Sequence, residues 1–460
     1  MYIHDTIAAI ATPLGFGGIA IVRVSGPDAE RIGSLVFVRS KDGKGGGFES
    51  HRLLYGHFIE PLSGVLIDEG MCVLMRSPRS YTREDVLELH CHGGYYVVRS
   101  LLQACLASGV RLAEPGEFTR RAFLNGRIDL AQAESIIDVI KSRTDRSLAI
   151  AHSQREGTLS RALFSVRSIL VEALALVEAY IDFPEDEVDP AVFSLVDGHI
   201  SAALQQLSQL VSTFRTGSLL RAGVSVLLLG RPNSGKSSLL NALSGSDRAI
   251  VSEIPGTTRD LIEEIISIDG LPVKVIDAAG IREHHADCVE QEGVRRALAK
   301  LPEADLVLFL VDGSAPVSDD DRSIAVAIAH TPYFVVVTKS DLPQRASVSE
   351  FGTSAGVVSI CSRDGSGVDI LSRMIFDYFV QSSNVSSGDL LVISNARHRD
   401  ILLRSVELLD SFVVNRHAGV PPELLSLDLR SALSALGEVT GETSTDDVLD
   451  RIFSSFCIGK

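Results

Sequence analysis

The chain has 460 residues, 45% of them hydrophobic and 22% charged, and carries a formal net charge of −16. That length calls for two to four domains, and the composition is that of a globular protein. So acidic a surface repels phosphate backbones and excludes nucleic-acid binding by bulk charge, leaving only a local basic patch or a partner that supplies the charge.

The N-terminus, MYIHDTIAAIATP, carries an acid and lacks a basic start before a long apolar core, so no secretion signal is expected. Residues 1–118 mix short β-rich runs (19–24 and 86–90) with glycine turns at 15–18 and 43–47, the pattern of a compact α/β or mostly β domain. From 119 to 216 the period becomes helical. Within 159–180, Leu163, Val166, Leu170, Leu174 and Val177 fall at three- and four-residue spacings, as one buried helix face requires. The apolar run nearest to a membrane span, residues 162–180, is interrupted by Arg167, Glu172 and Glu178. An acidic stretch breaks the helix at Pro184, and a further helix runs through Leu210.

Near Gly223 the pattern turns to α/β alternation, with short apolar runs at 224–229, 273–276, 306–311, 333–337 and 357–360 separated by helix-length segments. After 378 a Ser/Asn/Gly-rich linker leads into helical sequence to the end. The simplest organisation is one helical domain, 119–216 plus 379–460, split by an inserted α/β domain, 217–378, behind the N-terminal domain. Cys72, Cys91, Cys105, Cys288, Cys361 and Cys457 form no CxxC pair, which suits a reducing cytoplasm rather than a disulfide framework or zinc ribbon.

Gly230-Arg-Pro-Asn-Ser-Gly-Lys-Ser237 matches G-x-x-x-x-G-K-[ST] between an expected strand and an expected helix. Backbone N–H groups of Asn233, Ser234 and Gly235 can wrap phosphates, Lys236 supplies a point charge, Ser237 suits Mg²⁺, and Ser238 continues the helix start. The further elements of a GTPase follow in order. Ser252-Glu253-Ile254-Pro255-Gly256-Thr257-Thr258 suits a switch loop, with Thr258 a second Mg²⁺ ligand. Asp277-Ala278-Ala279-Gly280 and Thr338-Lys339-Ser340-Asp341 each end an apolar run; Asp341 can accept two hydrogen bonds from a guanine edge. Cys361-Ser362-Arg363 aligns with the next base-contact motif. Two departures stand out: Thr338 replaces the usual Asn of NKxD, and Ile281 follows Gly280 where Ras-like proteins place a water-orienting Gln.

Together with the strings TIAAIATPLGFGGIAIVRVSG, SYTREDVLELHCHGG, EPGEFTRRAFLNGRIDLAQAE, GRPNSGKSSLLNAL, PGTTRD and the terminal DRIFSSFCIGK, these residues closely resemble the tRNA-modification GTPases called MnmE or TrmE, over essentially the whole chain. The resemblance implies a multidomain chain of α+β and α/β parts: an N-terminal folate-binding domain, a split helical domain and an inserted Ras-like P-loop G domain. It implies a cytoplasmic homodimer working with a flavin-dependent partner, MnmG or GidA, to place a carboxymethylaminomethyl-type group at carbon 5 of the wobble uridine of certain tRNAs, the one-carbon unit coming from a tetrahydrofolate derivative such as the 5-formyl or methylene form. By the same resemblance Arg23, Glu88, Arg127 and Lys460 contact the folate, with Arg127 standing where a Lys is also found. Asn233, Ser252, Ile254 and Thr257 hold K⁺, and Glu290, three residues before Gly293, orients the attacking water, with Glu283 as the alternative.

Plainer readings stay beside these. His90 and His92 share a strand face and suggest either a metal site lacking a third ligand or a strand end. Cys457 is either a nucleophile or a buried apolar residue beside Phe456. Arg120, Arg121, Arg143, Arg146 and Arg155 face RNA or form a solvated helix face. A ribosome-assembly or regulatory GTPase switch is the competing function, though it has no use for a folate pocket. A one-carbon transferase with a vestigial G domain fails on the intact Lys236, Ser237, Thr258 and Asp277.

Overall fold

The computed structural model describes residues 5–40, 47–182, 191–246, 264–276, 295, 297–351, 354–380 and 390–460. These fall into two compact units: the described residues of 1–137 with 437–460, and those between 138 and 436.

The first unit is built on a seven-stranded sheet in the order β3-β4-β5-β6-β2-β1-β7. Its strands are β1 (Ile7–Ile10), β2 (Gly17–Ser25), β3 (Phe37–Arg39), β4 (Leu54–Ile59), β5 (Leu66–Met75), β6 (Val86–Gly93) and β7 (Arg111–Leu112). Alternation decides which face is core. Val22, Val24, Cys72, Leu74, Leu87, Leu89 and Phe58 are buried and pack with helices α1 (Ala29–Val36) and α2 (Tyr95–Ala107). Each such fully buried aliphatic or aromatic side chain contributes about 1.5–3 kcal/mol. The intervening residues Arg23, Glu88 and His90 lie on the opposite face, only half-buried. Helix α3 (Glu117–Leu124), the start of α4 (Leu130–Lys141) and the C-terminal α14 (Asp446–Phe453) close the unit through Phe123, Leu130, Leu449, Phe453 and Phe456.

In the second unit, α5 (Asp145–Arg155), α6 (Thr158–Asp182), α7 (Ala191–Ser212) and α8 (Phe214–Ala222) precede the α/β region, and α12 (Ala396–His417) and all but the last turn of α13 (Pro422–Thr440) follow it. Helix α6 matches the expected span to within two residues at each end. Its buried stripe is Leu163, Val166, Leu170, Ala173 and Val177; Leu174, expected inside, is half-buried because Ala173 takes the inward position. The expected break at Pro184 lies outside the described residues. Helix α5 starts at a reciprocal cap, the Thr144 hydroxyl accepting from Ser147 N–H while the Ser147 hydroxyl accepts from Thr144 N–H.

The α/β region carries a six-stranded sheet, β13-β12-β11-β8-β10-β9. All pairings are parallel except the edge hairpin between β9 (Glu264–Ile268) and β10 (Leu271–Ile276). Strands β8 (Val224–Leu229), β11 (Leu306–Asp312) and β12 (Tyr333–Thr338) are almost wholly buried, as continuous apolar runs in a doubly covered parallel sheet should be. Helices α9 (Lys236–Ser246), α10 (Asp319–Ile328) and α11 (Val368–Val380) complete the layers, and β13 (Gly356–Ser359) is the far edge. Strand β8 lies between β11 and β10, where the strand order reverses, so the loop leaving its C-terminal end sits where such sheets bind ligands.

Candidate functional site

That loop is the glycine-rich motif. Asn233 (φ 61°) and Gly235 (φ 94°) adopt left-handed backbone, which Asn tolerates better than most residues and glycine adopts freely. Lys236 opens α9 and its ammonium folds back over the loop, donating to the carbonyls of Gly230 (2.9 Å) and Arg231 (2.8 Å). The N-terminal N–H groups of α9 and this lysine charge fit polyphosphate, and Ser237 stands in the first helical turn with no acidic neighbour there.

The segments expected to read the base follow β12 and β13, beside the same C-terminal end of the sheet. Lys339 (φ 58°) places its ammonium 2.6 Å from Asp312 Oδ2. Burial opposes the ionised form of Asp312, but the bonds from Lys339 and Ser314 hold its carboxyl below the ordinary aspartate range. Ser340 N–H donates to the Ile360 carbonyl (3.1 Å), and an Arg363 guanidinium nitrogen lies 3.6 Å from Asp341 Oδ2. The structure therefore brings 338–341, 361–363 and the phosphate loop together, with Cys361 buried and Arg363 exposed. Ser252, Glu253, Ile254, Pro255, Gly256, Thr257, Thr258, Asp277, Ala278, Ala279, Gly280, Glu283 and Glu290 lie outside the described residues. Sequence reasoning missed Asp312 and Asp321, toward which the Arg231 guanidinium points at 3.9 and 3.8 Å. The only signal was an Asp closing one apolar run and another in a helix start.

A second cluster sits in the first unit. Arg23 and Glu88 are register partners on β2 and β6, so their side chains share one face. Two guanidinium nitrogens of Arg23 meet Glu88 Oε1, each at 2.9 Å, and a third donates to the Gly459 carbonyl at 3.2 Å. Gly459 is left-handed (φ 96°), and a side chain there would run into the carbonyl of Ile10, so the C-terminal tail is seated against β1. The Tyr81 ring has the Arg23 guanidinium at 5.4 Å and that of Arg127 at 4.8 Å, and Phe118 lies 5.7 Å from Arg23. Arg127 also donates to the Tyr81 carbonyl at 2.6 Å. Lys460 ends the chain half-buried, its N–H donating to Cys457 O. A bond from His90 Nε2 (3.4 Å), opposed by burial and helped by Arg23, holds the Glu88 carboxyl below the ordinary glutamate range. A carboxylate fixed by a guanidinium that itself stands over two rings suits a flat heterocycle with an N–H edge.

The plainer readings fare differently. His90 and His92 stand at the end of β6, as the strand-end reading had it, and go to separate carboxylates, His90 to Glu88 and His92 to Asp68 at 2.9 Å. Cys457 is exposed although its neighbour Phe456 is buried. Arg121, expected on RNA or in solvent, is only 3% exposed and binds Asp5, Glu84 and Glu117. Arg120 pairs with Asp450 at 2.9 Å, and Arg146 lies over the Phe376 ring.

Comparison with known proteins bears on the family of the chain. The TrmE N-terminus family matches residues 6–127, and the MnmE helical-domain family matches 130–457. The tRNA modification GTPase MnmE of Geobacter sulfurreducens is 52% identical over 460 residues, covering all of both chains. The chain belongs to the MnmE family of tRNA modification GTPases. The MnmE of Geotalea uraniireducens is 51% identical over the same full length, and that of Geobacillus kaustophilus 44% over 99% of each chain. Among solved structures, translation elongation factor SelB of Methanococcus maripaludis with a GTP analogue matches 36% of this chain and 35% of its own at 18% identity, with a TM-score of 0.26, too slight to bear on the fold. No helix among the described residues is long and apolar enough to cross a membrane.

Proposed function

We propose that the chain binds and hydrolyses GTP and couples that hydrolysis to tRNA modification. The family membership carries the reading, and its support in the molecule is the seating of Asn233–Ser237 and Thr338–Asp341 together at the C-terminal end of the sheet. The phosphate-loop N–H groups and Lys236 orient the polyphosphate, Asp341 accepts from the guanine edge, and Glu290 positions the attacking water in place of the missing Gln. Ser237 and Thr258 are the residues to hold Mg²⁺, and Asn233, Ser252, Ile254 and Thr257 those to hold K⁺. Both ions supply positive charge where negative charge develops on the phosphates.

In the first unit, Arg23 fixes Glu88 to read a pterin edge, while Arg127 and Lys460 carry charge suited to a glutamate tail. A tetrahydrofolate derivative supplies the one-carbon unit when bound. The full activity is the placing of a carboxymethylaminomethyl-type group at carbon 5 of wobble uridine, by a cytoplasmic homodimer together with a flavoprotein of the MnmG type. The domain limits that go with it are 1–118, 119–216 with 379–460, and 217–378. Steady-state GTP turnover at equal ionic strength tests the nucleotide chemistry: it should be much faster in KCl than in NaCl. Equal rates in the two salts contradict the potassium site.

A further inference from the structure

Thr338 is the residue by which this chain departs from the usual guanine motif, and its side chain does not face solvent. It is 2% exposed at the end of β12. Its hydroxyl is 2.9 Å from the carbonyl of Ser234, in the middle of the phosphate loop, and 3.2 Å from that of Val311, on the neighbouring strand β11. Both neighbours are acceptors, so the single hydroxyl proton is shared between them and the hydroxyl is a donor toward each. Ser234 is itself fully buried, so its carbonyl lies where water is scarce. The Thr338 methyl and Cβ lie 3.6 Å from where a Cβ on Gly235 would stand, which packs the strand end under the glycine of the loop. Three residues further on is Asp341, and Lys339, next to Thr338, is anchored to Asp312.

We propose that Thr338 is a positioning residue whose hydroxyl pins the phosphate loop to the base-reading loop, so that binding at Lys236 and reading at Asp341 occur on one rigid frame. A β-branched residue is suited to the place: its stiff χ1 holds the hydroxyl on the Ser234 carbonyl, and it fits a buried strand end. The proposal rests on the nucleotide-binding reading above and concerns how affinity is divided, not whether nucleotide binds.

The test is a double-mutant cycle on the full chain, reading the affinity of the fluorescent nucleotide mant-GDP. Thr338→Val keeps the shape and removes the donor. It leaves the Ser234 carbonyl buried without that partner, and affinity should fall about tenfold. Thr338→Ser restores the donor and should recover the affinity to within about threefold. In an Asp341→Asn background, where the base is no longer read, Thr338→Val should cost less than about threefold, because the two residues act as a unit. A merely structural role would lower the melting temperature and leave the losses multiplicative. Parent-like affinity in a folded Thr338→Val chain, or multiplicative losses, overturns the proposal; Thr338→Ala serves the same comparison if the valine variant does not fold. A parent chain that binds no mant-GDP overturns the nucleotide reading itself, and the proposal with it.

Discussion

Replacing Glu88 by Gln probes the first-unit cluster with the least change of shape. In the parent, two Arg23 nitrogens occupy Oε1 and His90 approaches Oε2 at 3.4 Å, which leaves Oε2 the more open acceptor for an incoming N–H. The Glu88 side chain is 17% exposed, so on the proposed reading the bond it accepts from a pterin would be a charged one in a largely dry place. Loss of such a bond costs about 1.5–3 kcal/mol, or roughly 10–150-fold in affinity. The amide still accepts one bond from Arg23, whose guanidinium keeps Gly459 O and the two rings, so the fold should lose only about 1–2 kcal/mol. Calorimetric titration with 5-formyltetrahydrofolate measures the first effect, and a thermal scan the second. Affinity within twofold of the parent, with the fold intact, would return Glu88 to the role of a partner for Arg23 and His90.

Asp341→Asn should shift preference from guanosine toward xanthosine nucleotides, since the carboxylate acceptor pair is gone; competition against mant-GDP reads it, and unchanged GDP binding removes Asp341 from that role. Arg121→Met should destabilise the first unit by about 3–5 kcal/mol, because three carboxylates lose a buried counter-charge, and urea unfolding measures it. Burial opposes the ionised forms of Asp5 and Glu117, but Arg111 and Arg121 outweigh it and hold both carboxyls below their ordinary values. Their contribution is therefore present above the ordinary carboxylate range and lost as pH falls through the depressed folded values, so stability should stay flat from neutral to about pH 5 and drop below about pH 4.

What was legible in the sequence was whatever is contiguous. The phosphate loop could be read because its residues are adjacent and lie between an apolar run and a helix, and the central strands because a doubly covered sheet writes them as unbroken apolar runs. The short strands β1, β7 and β9, of which β7 and β9 are sheet edges, leave no such trace. The Arg23–Glu88 pairing depends on an antiparallel register across 65 positions, which no local pattern encodes, and Tyr81, Phe118 and Gly459 join it only through that register. Adjacent arginines in a helix read as facing RNA or as a solvated face. Arg121 is buried because Asp5 and Glu84 arrive from 116 and 37 positions away. Thr338 was visible as a departure, but the carbonyl it meets was not.

The central claim is that GTP turnover by this chain serves tRNA modification, and nucleoside analysis tests it most directly. A bacterial strain lacking its own gene of this family is complemented with the parent chain or with Lys236→Ala, and wobble nucleosides of its tRNA are quantified by mass spectrometry. The expected result is that the parent restores the carboxymethylaminomethyl-type uridine and Lys236→Ala does not. Restoration by both, or by neither when both are expressed and folded, contradicts the account.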